Sequence, residues 1–373
     1  MLILTTAFLP LTGGSEIAVF EITRRLPNIF FDIATAKIKK GLPEEEDRDH
    51  IKIRRFGWGS NFDKFLLPLF CFIKYRKLVA DGHYNYIHAY QASFGGIGAW
   101  LLKLACPRVK FVLTLQEGKD LGNQTGLVRF FRRLIIKRAD LITAISQYLA
   151  DYASTEGGPT PICVIPNGVD FEKFQIAVPE PKLKELRERL GLKGDERVVI
   201  SISRLVEKNG LRYLLLALKI LRDELKRVKL LLVGEGPESK ILTRLSSQLD
   251  LGNSVLFLGN IKHDNLPAYL QLADVFVRPS LSEGLGNAFL EAMAAGVPVI
   301  GTAVGGITDF LTDGQTGLLC LPRDPEDIAK KMNQLLADQV LAGRVKNRAA
   351  NLAREKYNWE IIAKRFNSIY CGQ

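Results

Sequence analysis

The chain has 373 residues, of which 47% are hydrophobic and 24% charged, proportions that exclude a disordered, collagen-like or disulfide-stapled chain and allow two domains. Its formal net charge is +11, from 51 Lys and Arg against 40 Asp and Glu, which admits nucleic acid, an anionic membrane or a phosphorylated substrate as partner. The excess is regional: residues 51–150 hold 16 Lys and Arg against 5 Asp and Glu, and the remainder is balanced.

The opening MLILTTAFLPL is apolar without the basic flank of a secretory signal and reads as a first buried strand, Leu2–Ala7. Further strands are expected at Tyr84–His88, Lys110–Leu115, Leu141–Ile145 and Cys163–Ile165. Between them, helices are expected at Glu16–Leu26, Phe94–Leu104, Gly126–Lys137 and Gln147–Ala153. This alternation predicts a doubly wound α/β layer on a parallel sheet. The segment Ile165-Pro166-Asn167-Gly168-Val169-Asp170 is rich in turn residues and marks a junction.

After a charged helix at Lys182–Leu190 the alternation restarts. Strands are expected at Arg197–Ser201, Val228–Val233, Ser254–Leu258, Asp274–Val277 and Val297–Gly301. Helices are expected at Leu211–Lys226, Pro237–Leu249, Leu266–Leu272, Ala288–Ala295 and Pro325–Leu336. Two α/β domains follow, residues 1–168 and 169–355, each with a glycine-bearing loop after an early strand. Two such layers facing one another would enclose a cleft, a favoured place for a small-molecule site.

The five cysteines, Cys71, Cys106, Cys163, Cys320 and Cys371, form no C-x-x-C pair. Neither a zinc site nor a disulfide framework is expected, and reduced thiols in a cytoplasmic protein are. No apolar run approaches the roughly 20 residues of a membrane span.

The densest motif is Arg278-Pro279-Ser280-Leu281-Ser282-Glu283-Gly284-Leu285-Gly286-Asn287-Ala288-Phe289-Leu290-Glu291. A strand ends, a glycine-rich loop follows, and a helix opens with first-turn N–H groups available to an anion. Glu283 and Glu291 would stand about 12 Å apart if the segment were wholly helical, the reach from sugar to ribose in a nucleotide sugar. Carboxylates accept hydrogen bonds from hydroxyls. The bland alternative is a capped helix with two solvated glutamates.

Ser203-Arg204-Leu205-Val206-Glu207-Lys208-Asn209-Gly210 places two cations four residues apart at a βα turn, where they can clamp a diphosphate. Gly234 and Gly236, in Val233-Gly234-Glu235-Gly236-Pro237, let backbone approach a base or ribose, or form a plain strand-to-helix turn. Gly13 and Gly14 follow the first strand and can offer N–H groups to a phosphate. This is not G-x-G-x-x-G, no acidic residue ends the next strand, and Walker A and H-E-x-x-H motifs are absent, so hydride transfer is not expected.

The order G-G-x-E, N-G-V-D, S-R-L-V-E-K-N-G, G-E-G-P and S-E-G-L-G-N-A-F-L-E-A-M-A-A-G-V-P-V-I resembles the retaining glycosyltransferases of family 4. Gly305-Gly306-Ile307-Thr308-Asp309, Asp313-Gly314-Gln315-Thr316-Gly317 and the final Tyr357-Asn358-Trp359 helix extend the likeness. The resemblance implies a GT-B fold, two Rossmann-like domains facing a cleft, with residues 356–373 returning to the first domain. It implies a metal-independent enzyme moving a hexose from a UDP- or GDP-sugar to a glycan or lipid-linked acceptor, in cell-envelope polysaccharide, lipopolysaccharide or glycolipid synthesis. Arg204 and Lys208 would bind the diphosphate. Glu283 and the backbone of Gly284, Leu285, Gly286 and Asn287 would hold the sugar, and Glu291 the ribose.

On the acceptor side His88-Ala89-Tyr90 stands where relatives have His-x-His, and Gln116 stands where a histidine is common. His88 is a catalytic candidate, with a buried, hydrogen-bonded histidine as the alternative; Gln116 cannot act as a base. The charge excess falls in this domain, on residues 62–79 and 127–138, which read as basic amphipathic helices. Contact with an anionic membrane is the expectation for the pair, against two core-facing stripes with solvated basic faces. The expected location is cytoplasmic, peripheral on the inner face of the plasma membrane. Competing readings are a sugar-nucleotide epimerase of the same fold, a non-catalytic partner subunit, and a nucleic-acid binder, disfavoured because no stacking module or helix-turn-helix is present.

Overall fold

In the computed structural model, which describes every residue except Thr12, Lys119, Asp120, Gly122, Asn123, Lys226 and Gln373, the strands form two separate sheets. The chain divides accordingly into unit 1, Met1–Asn167 with Trp359–Gln373, and unit 2, Gly168–Asn358.

Unit 1 holds β1 (Leu2–Leu4), β2 (Phe31–Ala36), β3 (Glu45–Arg48), β4 (Ile51–Phe56), β5 (Tyr86–Tyr90), β6 (Lys110–Leu115), β7 (Leu141–Ala144) and β8 (Ile162–Val164), in the order β3-β4-β2-β1-β5-β6-β7-β8. Every pairing is parallel except the antiparallel edge pair β3–β4. Central strands have helices on both faces, so they are short apolar runs without alternation. β2, β3 and β4 form where no strand was expected. β2 carries Asp32 in its buried run, and β3 is a charged edge strand whose row of carboxylates discourages edge pairing.

The final helix, Trp359–Cys371, belongs to unit 1, as the resemblance implied. It packs beside the helix Gly14–Arg24. Trp359, Ile362, Ala363, Phe366 and Tyr370 enter one core cluster with Ile3, Phe31 and Ile33.

Unit 2 holds β9 (Arg197–Ile202), β10 (Val228–Val233), β11 (Val255–Gly259), β12 (Val275–Arg278), β13 (Val299–Thr302) and β14 (Leu318–Cys320). The sheet is wholly parallel, in the order β11-β10-β9-β12-β13-β14. Helix Leu211–Glu224 buries Leu211, Leu214, Leu215, Leu218 and Leu221, the i, i+3, i+4, i+7 stripe of an amphipathic helix. Each contributes roughly 1.5–3 kcal/mol of burial. The end expected for this helix, Lys226, lies outside the described residues.

Strand order reverses between β9 and β12. In an open parallel sheet the loops leaving the carboxyl ends at such a reversal diverge and leave a crevice for a ligand. Those two loops are 203–210 and 279–286.

Candidate active site

After β9 the chain runs through Ser203–Val206 into a 3-10 turn, Glu207–Asn209. Asn209 Nδ2 donates to the Arg204 carbonyl at 2.6 Å and pins the loop on itself. Gly210 has φ +68°, and a Cβ there would stand 2.0 Å from the Pro279 carbonyl oxygen. The backbone N–H of Leu281 donates to the Lys208 carbonyl at 2.6 Å. The β9 and β12 loops are thus tied together by backbone. Arg204 is exposed and Lys208 half-buried.

β12 ends on Arg278, only 5% exposed. Its Nη2 donates to Glu283 Oε2 at 2.8 Å, and its guanidinium lies over the Phe289 ring, 4.7 Å from the centroid. Lys208 Nζ stands 3.6 Å from Glu283 Oε1, which also accepts from the Gly284 N–H at 3.0 Å. One carboxylate therefore lies between two cations. Burial pushes the Lys208 pKa below the usual lysine value; Glu283 opposes that shift and Arg278 adds to it.

Glycines allow this arrangement. Gly305 has φ +53°, and a Cβ there would stand 1.9 Å from the Glu283 carbonyl oxygen. Next to it the Gly306 N–H donates to that same carbonyl at 3.2 Å. Residues 283–286 are loop, and the helix starts only at Asn287, so the wholly helical spacing of Glu283 and Glu291 does not apply. Each glutamate has its own partners: Glu291 Oε1 lies 2.9 Å from His263 Nε2.

Gly234 and Gly236 press against the β9 loop. Cβ atoms on them would stand 1.9 Å from the Ser203 carbonyl oxygen and 2.2 Å from that of Leu205. The Leu205 N–H donates to the Glu235 carbonyl at 2.9 Å. Packing of two backbones accounts for these glycines before any ligand is considered. The structure thus gathers Lys208, Glu283, Gly284 and Gly286 around Arg278, with Arg204, Gly234 and Gly236 on the adjoining loops.

This constellation can be set beside known proteins. Residues 12–173 match the family described as Glycosyltransferase Family 4, and residues 183–356 match Glycosyl transferases group 1. The N-acetyl-alpha-D-glucosaminyl L-malate synthase of Bacillus anthracis is 32% identical over 370 residues, 97% of this chain and 94% of that protein. The chain is a family 4 glycosyltransferase. The GDP-mannose-dependent alpha-(1-6)-phosphatidylinositol monomannoside mannosyltransferase of Mycobacterium tuberculosis H37Rv is 31% identical over 315 residues, 80% of this chain and 79% of that protein. The structure of Anabaena HepE in complex with UDP-glucose superposes with a TM-score of 0.84 at 21% identity, covering 100% of each chain. Each unit is a Rossmann-like layer, and the fold class is GT-B.

For this hexosyltransferase, reasoning from sequence missed Arg278, His263 and Lys173. Arg278 was visible as a cation at the end of an otherwise apolar strand. His263 and Lys173 carried no signal, because three distant segments bring them to Glu291. Among the described residues, no group of three or more His, Cys, Asp or Glu is placed to hold a metal ion.

In unit 1, Gly13 and Gly14 are exposed at the start of helix Gly14–Arg24, which has no side-chain cap. Glu16 occupies that first turn, its pKa raised by burial. His88 requires a correction as a catalytic candidate. It is fully buried, with Nδ1 2.7 Å from Tyr370 Oη and Nε2 2.6 Å from Thr114 Oγ1. Burial pushes its pKa down to about 3, so the ring is a neutral core residue with both nitrogens engaged. Gln116 is also committed to structure, its Nε2 donating to Asn167 Oδ1 at 3.0 Å.

The two basic helices also depart from a simple amphipathic pattern. Helix Asp63–Ala80 buries Leu67, Cys71, Tyr75 and Val79, yet leaves Phe65, Leu69 and Ile73 exposed. Helix Gly126–Arg138 buries Ile135 and Ile136 and leaves Leu127, Phe130 and Phe131 exposed. Part of the basic excess is paired, because the buried carboxylate of Glu156 binds Arg129 at 2.7 Å and stands 3.8 Å from Arg133. No helix among the described residues is long and apolar enough to cross a membrane.

Proposed function

We propose that the enzyme moves a hexose from a UDP- or GDP-sugar to a hydroxyl of a glycan or lipid-linked acceptor, retaining anomeric configuration and using no metal. The observation that carries this reading is Lys208 Nζ standing 3.6 Å from Glu283 Oε1 at the reversal of the unit 2 sheet. A cation beside a carboxylate puts phosphate recognition next to sugar-hydroxyl recognition, as a nucleotide sugar requires. Lys208 and Arg204 take the diphosphate, Glu283 and the backbone of Gly284–Asn287 the hexose, and Glu291 the ribose.

As the bond from anomeric carbon to phosphate breaks, negative charge grows on the diphosphate, and preorganised cations stabilise it most there. The acceptor oxygen bonds to the anomeric carbon on the same face and its proton passes to a leaving phosphate oxygen. No protein nucleophile takes part. Names of the relatives support a glycosyl donor of either base: one uses GDP-mannose, and HepE was solved with UDP-glucose. A phosphatidylinositol mannoside in one name supports a lipid-linked acceptor. The exposed apolar and basic residues of helices Asp63–Ala80 and Gly126–Arg138 support peripheral contact with an anionic bilayer, and so a place on the inner membrane face.

Thermal-shift and mass-spectrometric screening against UDP- and GDP-sugars, with and without acceptor extracts, tests the reading. One nucleotide sugar should raise the melting temperature and be consumed faster with an acceptor present. Consumption without any acceptor, yielding an isomeric nucleotide sugar, would instead identify an epimerase. Absence of binding, or full turnover by Glu283→Ala and Lys208→Ala, would overturn the proposal.

A further inference from the structure

Glu291 lies in the second turn of helix Asn287–Ala294, its side chain 13% exposed. His263 Nε2 stands 2.9 Å from Glu291 Oε1. On the other side of the ring, Nδ1 stands 3.1 Å from Lys173 Nζ, which also donates to Asp264 Oδ1 at 2.6 Å. Phe174 packs edge-on against the imidazole, with centroids 5.5 Å apart. Helix Phe171–Gln175, the 3-10 turn His263–Asn265 and helix Asn287–Ala294 supply these groups, all within unit 2.

Donor and acceptor counting fixes the tautomer. A lysine ammonium has three N–H donors and no acceptor, so its contact with Nδ1 requires a lone pair on that nitrogen. The ring proton then resides on Nε2 and donates to Glu291 Oε1. His263 thereby fixes one carboxylate oxygen in direction and leaves Oε2 for a ligand hydroxyl.

We propose that His263, oriented by Lys173, is a positioning residue that aims Glu291 at the ribose hydroxyls of the donor and makes the site prefer ribonucleotides to deoxyribonucleotides. The inference rests on the reading of Glu291 as a ribose contact. A strut that merely joins two helices would affect stability and leave this preference alone.

Titration calorimetry of the full chain with UDP and GDP, and with their 2′-deoxy and 3′-deoxy forms, tests it. The wild type should bind one ribonucleoside diphosphate more tightly than its deoxy forms. His263→Ala should weaken the ribonucleotide about tenfold, the scale of one hydrogen bond to a charged group, and should weaken least the deoxy form that lacks the hydroxyl bound by Glu291. His263→Gln keeps a donor near the Nε2 position and should restore part of the preference. In a Glu291→Ala background, His263→Ala should have no further effect. Lys173→Met, which releases the tautomer, should give a partial loss and provides a second route if the His263 variants fail to fold. Wild-type preference in both His263→Ala and Lys173→Met overturns the inference and leaves the donor reading standing. A wild type that binds neither diphosphate overturns both.

Discussion

Arg278 Nη2 donates to Glu283 Oε2 at 2.8 Å from a guanidinium that is nearly inaccessible to solvent and stacked on Phe289. The pair sets the direction of the carboxylate that Lys208 faces. Removing one partner of a buried ion pair costs about 3–5 kcal/mol, because the remaining charge is left without compensation. Arg278→Ala should therefore lower the melting temperature and also cut turnover by about 10²-fold, on the scale of losing one preorganised electrostatic contact. Arg278→Lys should behave nearly as badly, since an ammonium neither stacks nor forks. Calorimetric melting and initial rates check this; full activity in Arg278→Lys would show that Glu283 needs no such anchor.

Lys208 gives the enzyme an alkaline limit. Burial lowers its pKa below the ordinary lysine value of 10.5, so its charge disappears at lower pH than that of an exposed lysine. Turnover should fall on the alkaline side before pH 10.5, and Lys208→Arg, which stays protonated, should move that limb upward. Stability has the opposite sign. The unfolded chain holds this proton more tightly, so stability rises with pH between the folded and unfolded values. Rate profiles and denaturant melts across pH 8–10.5, wild type against Lys208→Arg, separate the two effects.

The alternation of apolar runs makes both α/β layers legible, because parallel strands covered on two faces must be apolar throughout. The motif residues Lys208, Glu283 and Glu291 are legible for the same reason: their loops leave strands that the pattern locates. β2 is not, since Asp32 sits inside its run and is matched by Arg54, Tyr75 and Tyr84 from elsewhere in the chain. β4 alternates Ile51, Lys52, Ile53 and Arg54, a strand signal embedded in a charge-rich stretch that reads as basic surface. His88 shows the limit for sites. Its burial depends on Tyr370, 282 residues away, and no local pattern announces such a partner.

Gly305 tests whether backbone, rather than side chains, places Glu283. Its Cβ would meet the Glu283 carbonyl oxygen at 1.9 Å, and backbone cannot swing aside as a side-chain tip can. Gly305→Ala should shift the 283–286 loop, lowering turnover at least tenfold and stability by about 1–3 kcal/mol, the range for strain at a special backbone position. Gly314→Ala is the control. Its φ is similar at +67°, but nothing lies within 4 Å of the added Cβ, so only the conformational cost applies. Equal losses in the two variants would remove the backbone argument.

His88 predicts an acid sensitivity of folding that is separate from catalysis. Its folded pKa of about 3 lies well below the ordinary histidine value of 6.5. Between those values the unfolded chain binds a proton that the folded chain refuses, so stability is lost as pH falls through that window. His88→Gln should be less stable at pH 7, because the bonds to Tyr370 and Thr114 are disturbed, yet should show a shallower further loss between pH 7 and 5. Denaturant melts at the two pH values check this, and a bell-shaped rate profile whose acid limb vanishes in His88→Gln would return the residue to catalysis.

The exposed stripe of helix Asp63–Ala80 gives the membrane proposal its sharpest test. Phe65, Leu69 and Ile73 recur every fourth residue and are 55%, 53% and 64% exposed, while Leu67, Cys71 and Tyr75 form a second stripe with 0% exposure. A helix needs only the second stripe to pack on its sheet; in the first, Phe65 meets Phe94 edge-on at 4.8 Å between ring centroids, yet all three residues stay more than half exposed. Lys74, Arg76 and Lys77 are exposed on the same helix, so apolar insertion and attraction to anionic headgroups would act together. On helix Gly126–Arg138 the pairing of Arg129 and Arg133 with Glu156 weakens the second effect and leaves mainly Leu127, Phe130 and Phe131. Co-sedimentation with vesicles should therefore be strong with anionic lipid, weaker with neutral lipid and reduced by salt. Leu69→Asp with Ile73→Asp should lower the partition coefficient by at least tenfold, since each removes roughly 1.5–3 kcal/mol of available burial. Turnover on a water-soluble acceptor should persist in that variant. Equal binding to neutral and anionic vesicles, or none to either, would overturn the contact.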